Sequence, residues 1–417
     1  MNVKVLLSSA LIAASLTGAA QSKNVTYAIT GDGSKDFLWM NIRQVDLSTG
    51  QITKTIFQRS QSPYKIMDVT QGKPNVIAEN ESINIGAREY PTATLVASAA
   101  YDKKNNKLFF TPMRMAELRW LDLNADEAQP KFYTITPENM QLGDPFNESN
   151  HITRMVIGAD GNGYALTNDA KHLFRFTTGK HVEVTDLGNV VDAETNTSVS
   201  IQSRCTSWGG DMVADAYGKL YVITAGHHIF SIDPSTRIAT HMGMISGLPA
   251  GFTTNAAAVN DDGDLVVASA NMFDGYYVVN MKGFAATKLE GSDTKYNASD
   301  LANGNLLFQK EADAASSFVI NNQNLPSVPV AGTAKIFPNP VTNGTFNVIF
   351  NNKLSGKYQV VVSDLTGRVM QTNTLNLARG VQNASVRLNA RLFKGMMMVQ
   401  VLDEKKESVI TEKIMVQ

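Results

Sequence analysis

The sequence has little of several things, and each shortage excludes something. Cysteine occurs once in 417 residues, at Cys205, so no internal disulfide can form and stability must come from packing and hydrogen bonds. With no His/Asn arrangement at a catalytic spacing around it, Cys205 reads as a small packing residue. Neither sign of charge is in excess: 37 Lys and Arg stand against 38 Asp and Glu, a formal net charge of −1. That balance excludes the basic field that draws nucleic acid or an anionic membrane. Beyond the first twenty residues, apolar residues come only in short stretches, which excludes a spanning helix. Catalytic signatures are missing too. There is no Gly-x-Ser-x-Gly elbow and no His-Glu-x-x-His pair, and Gly31-Asp32-Gly33-Ser34-Lys35 has the wrong spacing for a phosphate loop. Wholesale disorder is excluded by the 43% of hydrophobic residues, enough to build proper cores.

What is present begins with an export signal. Lys4 supplies a positive start, residues 5–16 form a short apolar run, and Gly18-Ala19-Ala20 offers small residues for cleavage before Gln21. Residues 1–20 therefore read as a cleavable signal peptide.

A body over residues 23–323 follows, and it repeats. Tyr101-Asp102-Lys103-Lys104-Asn105-Asn106-Lys107-Leu108, Ala159-Asp160-Gly161-Asn162-Gly163-Tyr164, Asp215-Ala216-Tyr217-Gly218-Lys219-Leu220 and Asn260-Asp261-Asp262-Gly263-Asp264-Leu265 are each a polar turn between two apolar strands. Leu108, Tyr164, Leu220 and Leu265 are 56, 56 and 45 residues apart. Third strands follow at Leu118-Arg119-Trp120-Leu121-Asp122, His172-Leu173-Phe174-Arg175-Phe176 and His228-Ile229-Phe230-Ser231-Ile232-Asp233. A weaker copy lies at Asn303-Gly304-Asn305-Leu306-Leu307-Phe308, and a further one at the N-terminus around Ile42–Ile52. A four-strand repeat of this length is the signature of a propeller blade, because one blade cannot bury both faces and stacking around an axis does so. The count predicts an all-β fold with a six- or seven-bladed β-propeller, with the insert at residues 58–91 blurring the number.

Propeller function concentrates where the first strand of each blade begins and the second ends. That placement selects Asn150, His151, Arg154, Arg204, Trp208 and Asn255 before first strands, and Arg114 and His227 after second strands. These types bind polar ligands such as sugars or peptides by stacking and amide hydrogen bonds; they would equally tie blade loops together. His227 and His228 are adjacent on a strand and point to opposite faces, so they do not suit one metal. Asp160-Gly161-Asn162-Gly163 and Asp261-Asp262-Gly263-Asp264 look like calcium loops but lack the terminal glutamate, and the repeat explains them as turns. No catalytic residue is identified. Two function classes remain: a non-catalytic binding protein for a glycan, peptide or surface partner, and a metal-dependent hydrolase or lactonase. The second would hold a divalent cation such as calcium at the axis, with Asn150, Asn255 and Asn271, and with Asp211 or Asp300 as the carboxylate.

A linker at residues 324–332, with two prolines and a closing glycine, leads to residues 333–417. Here Phe337-Pro338-Asn339-Pro340 opens a run, Asp364-Leu365-Thr366-Gly367-Arg368 makes a turn between apolar alternating strands, Leu392-Phe393-Lys394-Gly395 precedes another strand, and Lys413 stands near the end. Proline suits the start of an edge strand, and Asp with Gly suits a hairpin. These residues resemble the type A C-terminal sorting domain of the type IX secretion system. Phe393 stands where proline is common in that family and Met397 where tyrosine is usual; both stay apolar. The resemblance implies a small β-sandwich, recognition by the type IX machinery through Pro338, Asn339, Pro340, Asp364, Gly367, Arg368, Gly395 and Lys413, and a secreted or cell-surface location. It also implies removal of the tail, with anchoring to a surface glycolipid or release.

Overall fold

A computed structural model describes residues 24–60, 63–79, 87, 89–140, 143–314, 334–341, 344–350, 356–364, 368–377, 382–389 and 395–416. The expected signal peptide and linker lie outside the described residues, as do Gly367 and Phe393. The chain divides into two compact units, one up to Lys310 and the other from Glu311.

Among the described residues the first unit is a ring of five blades, not six or seven. From the axis outward we call the strands of a blade a to d. Blade 2 is Val96–Asp102, Lys107–Pro112, Leu118–Asp122 and Lys131–Ile135, and blade 3 is Ile152–Ile157, Gly163–Thr167, Leu173–Phe176 and Val184–Asp186. Blade 4 is Asp211–Ala214, Leu220–Ile223, His228–Asp233 and Ile238–Met244, and blade 5 is Ala256–Val259, Leu265–Ala268, Tyr276–Val279 and Ala286–Lys288. Blade 1 is made from both ends of the unit. Ala298–Ala302 is its strand a, and Thr26–Thr30, Asn41–Asp46 and Gln51–Phe57 are strands b to d. This splice explains the overcount. The N-terminal repeat reads as a blade of its own, but it takes its strand a from Ala298–Ala302, just before the weak copy at residues 303–308.

Two other segments that read as blade material are not. Residues 303–308 leave blade 1 and run to blade 4, where the Leu307 N–H donates to Ala214 O and the Ala216 N–H donates to Leu307 O, each at 2.9 Å. The insert supplies the hairpin Lys65–Asp68 and Asn75–Glu79, which adds to the outer edge of blade 2 in parallel with Lys131–Ile135.

Burial follows strand position. Strands a and b are packed between neighbouring blades and are apolar on both faces, as in Ala256–Val259 and Leu265–Ala268, which are buried throughout. Outer strands such as Gln51–Phe57 alternate toward water and carry polar residues there. The repeated turn Asp and Asn side chains close the hairpins. Asp102, Asp160, Asp215 and Asn260 each accept a backbone N–H two residues on, at 2.9 to 3.1 Å. The sequences that looked like calcium loops are therefore such turns.

The second unit is a sandwich of two antiparallel sheets. One is Ala334–Phe337, Thr345–Phe350 and Gln382–Arg387; the other is Val369–Leu377, Gly356–Ser363, Gly395–Leu402 and Ser408–Val416. Phe346, Val348, Tyr358, Val360, Val399 and Ile414 fill the space between them. Met397 is buried in the same core, so the thioether fills the volume at the family's usual tyrosine position. The opening motif holds the last strand: Asn339 Nδ2 donates to Lys413 O at 2.8 Å, and the Met415 N–H donates to Asn339 Oδ1 at 2.9 Å. Asp364 closes its turn by accepting from the Arg368 N–H at 3.0 Å and from Arg368 Nε at 3.1 Å.

Candidate functional site

The b–c loops and the connections from strand d to the next strand a lie together on one face of the ring, and bonds cross between them. The Gly209 N–H donates to Asn168 Oδ1 at 2.8 Å, and the Gly31 N–H donates to Asn297 Oδ1 at 3.3 Å. All eight sequence-selected residues fall in or beside these loops, but the structure divides them by role.

Several are consumed by the fold. Arg154 is fully buried. Its guanidinium donates to Gly209 O at 3.0 Å, to Thr167 O at 3.1 Å and to Ser207 O, joining blade 3 to the connection that enters blade 4. Burial pulls its pKa down to about 10 against the opposing fields of Asp169 and Asp211. His151 is buried with Nε2 on Pro145 O at 2.9 Å, and His227 places Nε2 on Phe252 O at 2.6 Å. His228 turns elsewhere, to His241 at 3.1 Å, so the adjacent pair shares no site. Asn150 Nδ2 donates to Asp144 O at 3.0 Å. Asn255 and Asn271 both accept from Thr253 Oγ1.

Others face solvent. The Arg204 side chain is 72% exposed, lies 5.2 Å from the Trp208 ring and pairs with Glu148 at 3.1 Å. Arg114 lies 5.6 Å from the ring of Phe146, which is 76% exposed. Sequence reasoning missed Phe146. It also missed Phe37 and Phe273, whose rings meet edge-on at 5.6 Å, and Tyr296, whose ring carries Arg43 at 4.2 Å and Lys295 at 4.9 Å. The available signal was an aromatic in an otherwise polar loop, a few residues away from the strand ends on which the selection rested. Cys205 is exposed on the short helix Arg204–Ser207, so it is not the packing residue expected.

The axis is filled. Ser98 Oγ on blade 2 meets Thr111 Oγ1 at 2.7 Å and donates to Ile152 O of blade 3, while Ser299 Oγ of blade 1 donates to Val96 O at 2.7 Å. Asp211 and Asp300 come together here, both fully buried. Asp211 is surrounded by backbone N–H donors, a setting for an anion rather than for a shared divalent cation. Among the described residues, no three His, Cys, Asp or Glu side chains gather as a metal-holding group. The asparagines expected to join these carboxylates are bonded in the loops instead.

On the opposite face, at the seam of blades 5 and 1, lies a cleft of about 340 Å³ lined by Asn24, Asp46, Asp261, Asp262, Asn303 and Asn305 among others. Its polar groups are largely engaged. Asp261 accepts from Asn24 and Asn305, and Asp262 pairs with Lys310.

Residues 335–417 match the family described as the secretion system C-terminal sorting domain. They are a type IX sorting domain, and the chain is a protein exported to the outer surface or secreted. No curated protein sequence matches the chain. Among solved structures, PorZ of Porphyromonas gingivalis, described as a surface component of the type IX system, is 13% identical with a TM-score of 0.31. That match covers 94% of this chain and 51% of PorZ, so the chain spans about half of PorZ's length. A streptogramin B lyase is 12% identical over 68% of this chain and 94% of its own, with a TM-score of 0.34. A putative 6-phosphogluconolactonase from Bacteroides uniformis is 10% identical over 88% of this chain and 100% of its own, with a TM-score of 0.33. At these identities and scores the likenesses carry no functional weight. Among the described residues, no helix is long and apolar enough to cross a membrane.

Proposed function

We propose that the propeller is a non-catalytic binding protein whose loop face takes a glycan outside the cell, delivered there by its sorting tail. The observation that carries this reading is a set of rings around that face, each beside a cation or a second ring: exposed Phe146 with Arg114, exposed Phe37 with half-buried Phe273, and the half-buried rings of Trp208 with Arg204 and of Tyr296 with Lys295. Each ring offers a flat apolar surface for a sugar ring, and the neighbouring guanidinium or ammonium group offers donors to its hydroxyls. Apart from the Phe37–Phe273 contact, no ring–ring contact joins these rings among the described residues. A contiguous patch is what a protein partner usually buries, and for that reason a glycan is favoured over a protein ligand. Removal of the tail and attachment to a surface glycolipid would leave this face displayed at the cell surface.

The hydrolase reading has less to stand on. Its asparagines are bonded among the loops, Asn150 to Asp144 and both Asn255 and Asn271 to Thr253, and its two carboxylates are sealed at the axis. The test is a glycan array probed with the full chain, followed by titration of the best ligand with Trp208→Ala and Phe146→Ala. Binding that weakens at least tenfold in either variant supports the proposal. No glycan binding, or binding indifferent to both rings, would sink it; peptide binding lost in the same variants would reassign the face to a polypeptide.

A further inference from the structure

The axial acid pair supports an inference separate from ligand binding. Asp211 opens strand a of blade 4, and Asp300 stands in the middle of strand a of blade 1; both are wholly removed from solvent. Their hydrogen-bond inventories are opposite. Asp211 accepts from the Met212 N–H at 2.7 Å, from the Ala257 N–H of blade 5 at 2.7 Å and from the Leu301 N–H of blade 1 at 3.2 Å. Neither oxygen of Asp300 receives a well-directed bond from a protein donor. The Ala99 N–H of blade 2 approaches Asp300, and Asp211 faces it. Three donors suit an ionised carboxylate, and a carboxyl with no donors suits the neutral acid. Two anions side by side in a dry site would repel strongly.

We propose that Asp300 is a carboxylic acid at neutral pH, that its O–H donates to Asp211, and that this one proton is a latch holding blades 1, 4 and 5 together at the axis. Rising pH transfers the proton to solvent and leaves two facing carboxylates, so the ring loosens in alkali.

Burial raises both carboxyls despite the backbone donors of Asp211, and the Asp211 charge adds to burial at Asp300, holding it well above the usual carboxylate range, so the last proton of the pair stays on Asp300. A raised acid pKa means that the folded state holds a proton the unfolded chain has released. Stability is therefore greatest below about pH 4, falls as pH rises, and levels off only above the raised folded value of Asp300. The other charged group whose field reaches the pair is Arg154, packed from blade 3 and itself influenced by Asp169. Blades 5 and 2 present the Ala257 and Ala99 N–H groups.

The test is urea unfolding of the full chain between pH 5 and pH 9 for the wild type, Asp300→Asn and Asp211→Asn. Asp300→Asn keeps a donor toward Asp211 without a proton to lose. It should remove from the pH dependence a component of about tenfold in the unfolding constant per pH unit. It should also resist unfolding better than the wild type at pH 8. Asp211→Asn should be weaker than the wild type at pH 5, where it loses the anion that its three N–H donors serve. Equal pH slopes in the wild type and Asp300→Asn would overturn the latch. If a variant fails to fold, infrared spectroscopy of the wild type decides. A protonated carboxyl carbonyl band at pH 7 supports the assignment, and its absence, or a melt lowered by EDTA, overturns it in favour of an ionised or cation-bound pair.

Discussion

Replacing Arg154 with methionine keeps the volume of a side chain that is fully buried and removes the guanidinium that serves three carbonyls, Gly209 O, Thr167 O and Ser207 O. Each carbonyl would then lose that donor where water has little access. An unsatisfied buried acceptor costs about 1 to 3 kcal/mol, so the gross loss is about 3 to 9 kcal/mol. Relief from burying a cation that has no direct carboxylate partner offsets part of this, leaving a net loss of about 3 kcal/mol. For a unit of this size that corresponds to a fall in Tm of about 6 to 12 °C. The assay is urea and thermal unfolding of the full chain, with Arg204→Met as control. Arg204 is an arginine from the same sequence-selected set whose ion pair is exposed, and its loss should leave stability unchanged. Arg154→Lys should fall between the two, because a point charge cannot serve three acceptors as a planar fork does. A loss below about 1 kcal/mol for Arg154→Met, or an equal loss for Arg204→Met, would refute the clamp.

Other outcomes follow from single contacts. At Gly163 an added methyl group would run into the ring of Phe176, itself buried against Phe109 at 5.2 Å. Gly163→Ala should therefore cost about 1 to 3 kcal/mol in a denaturant melt. Leu307→Ala, at a fully buried side chain where the chain crosses to blade 4, should cost about 2 to 5 kcal/mol by the same measurement. Asn339→Ala removes both Asn339 bonds to the final strand of the tail; hydrogen exchange at the Met415 amide should speed up, while amides of the Val360–Val401 pair keep their protection.

Much of the fold was legible because each blade repeats a local code. A turn acid such as Asp102 or Asp215, with apolar runs on both sides, is read within a dozen residues, and the structure uses these acids as turn closers. The number of blades was not local information. It depended on Ala298–Ala302 finding Thr26–Thr30 across nearly the whole unit, and nothing in either segment announces its partner. The tail was legible because its motif residues act within a few strands of one another, as Asn339 does with Lys413 and Met415. The loop face was located but not sorted. Arg154 and Arg204 read alike as arginines near the start of a first strand, but the fold puts Arg154 inside that strand as a buried clamp and leaves Arg204 exposed with a surface ion pair. The filled axis escaped for the same reason: Asp211 and Asp300 could be named as acids near the centre, while their unequal donors come from blades 1, 2 and 5.

The spliced blade also sets an order of events. Ser299 bonds the backbone of Ile29, 270 residues earlier, so the central strand of the first blade is almost the last part of the propeller to be made. Until it arrives, the first blade lacks its inner edge, Thr26–Thr30 has an unpaired side, and the carboxylate of Asp211 lacks one of its three donors. Pairing so distant in sequence carries a large closure entropy and slows folding. The ring therefore stays an open arc until almost the whole propeller has been made. A protein cut short just before Ala298 should remain an arc, however intact its four other blades.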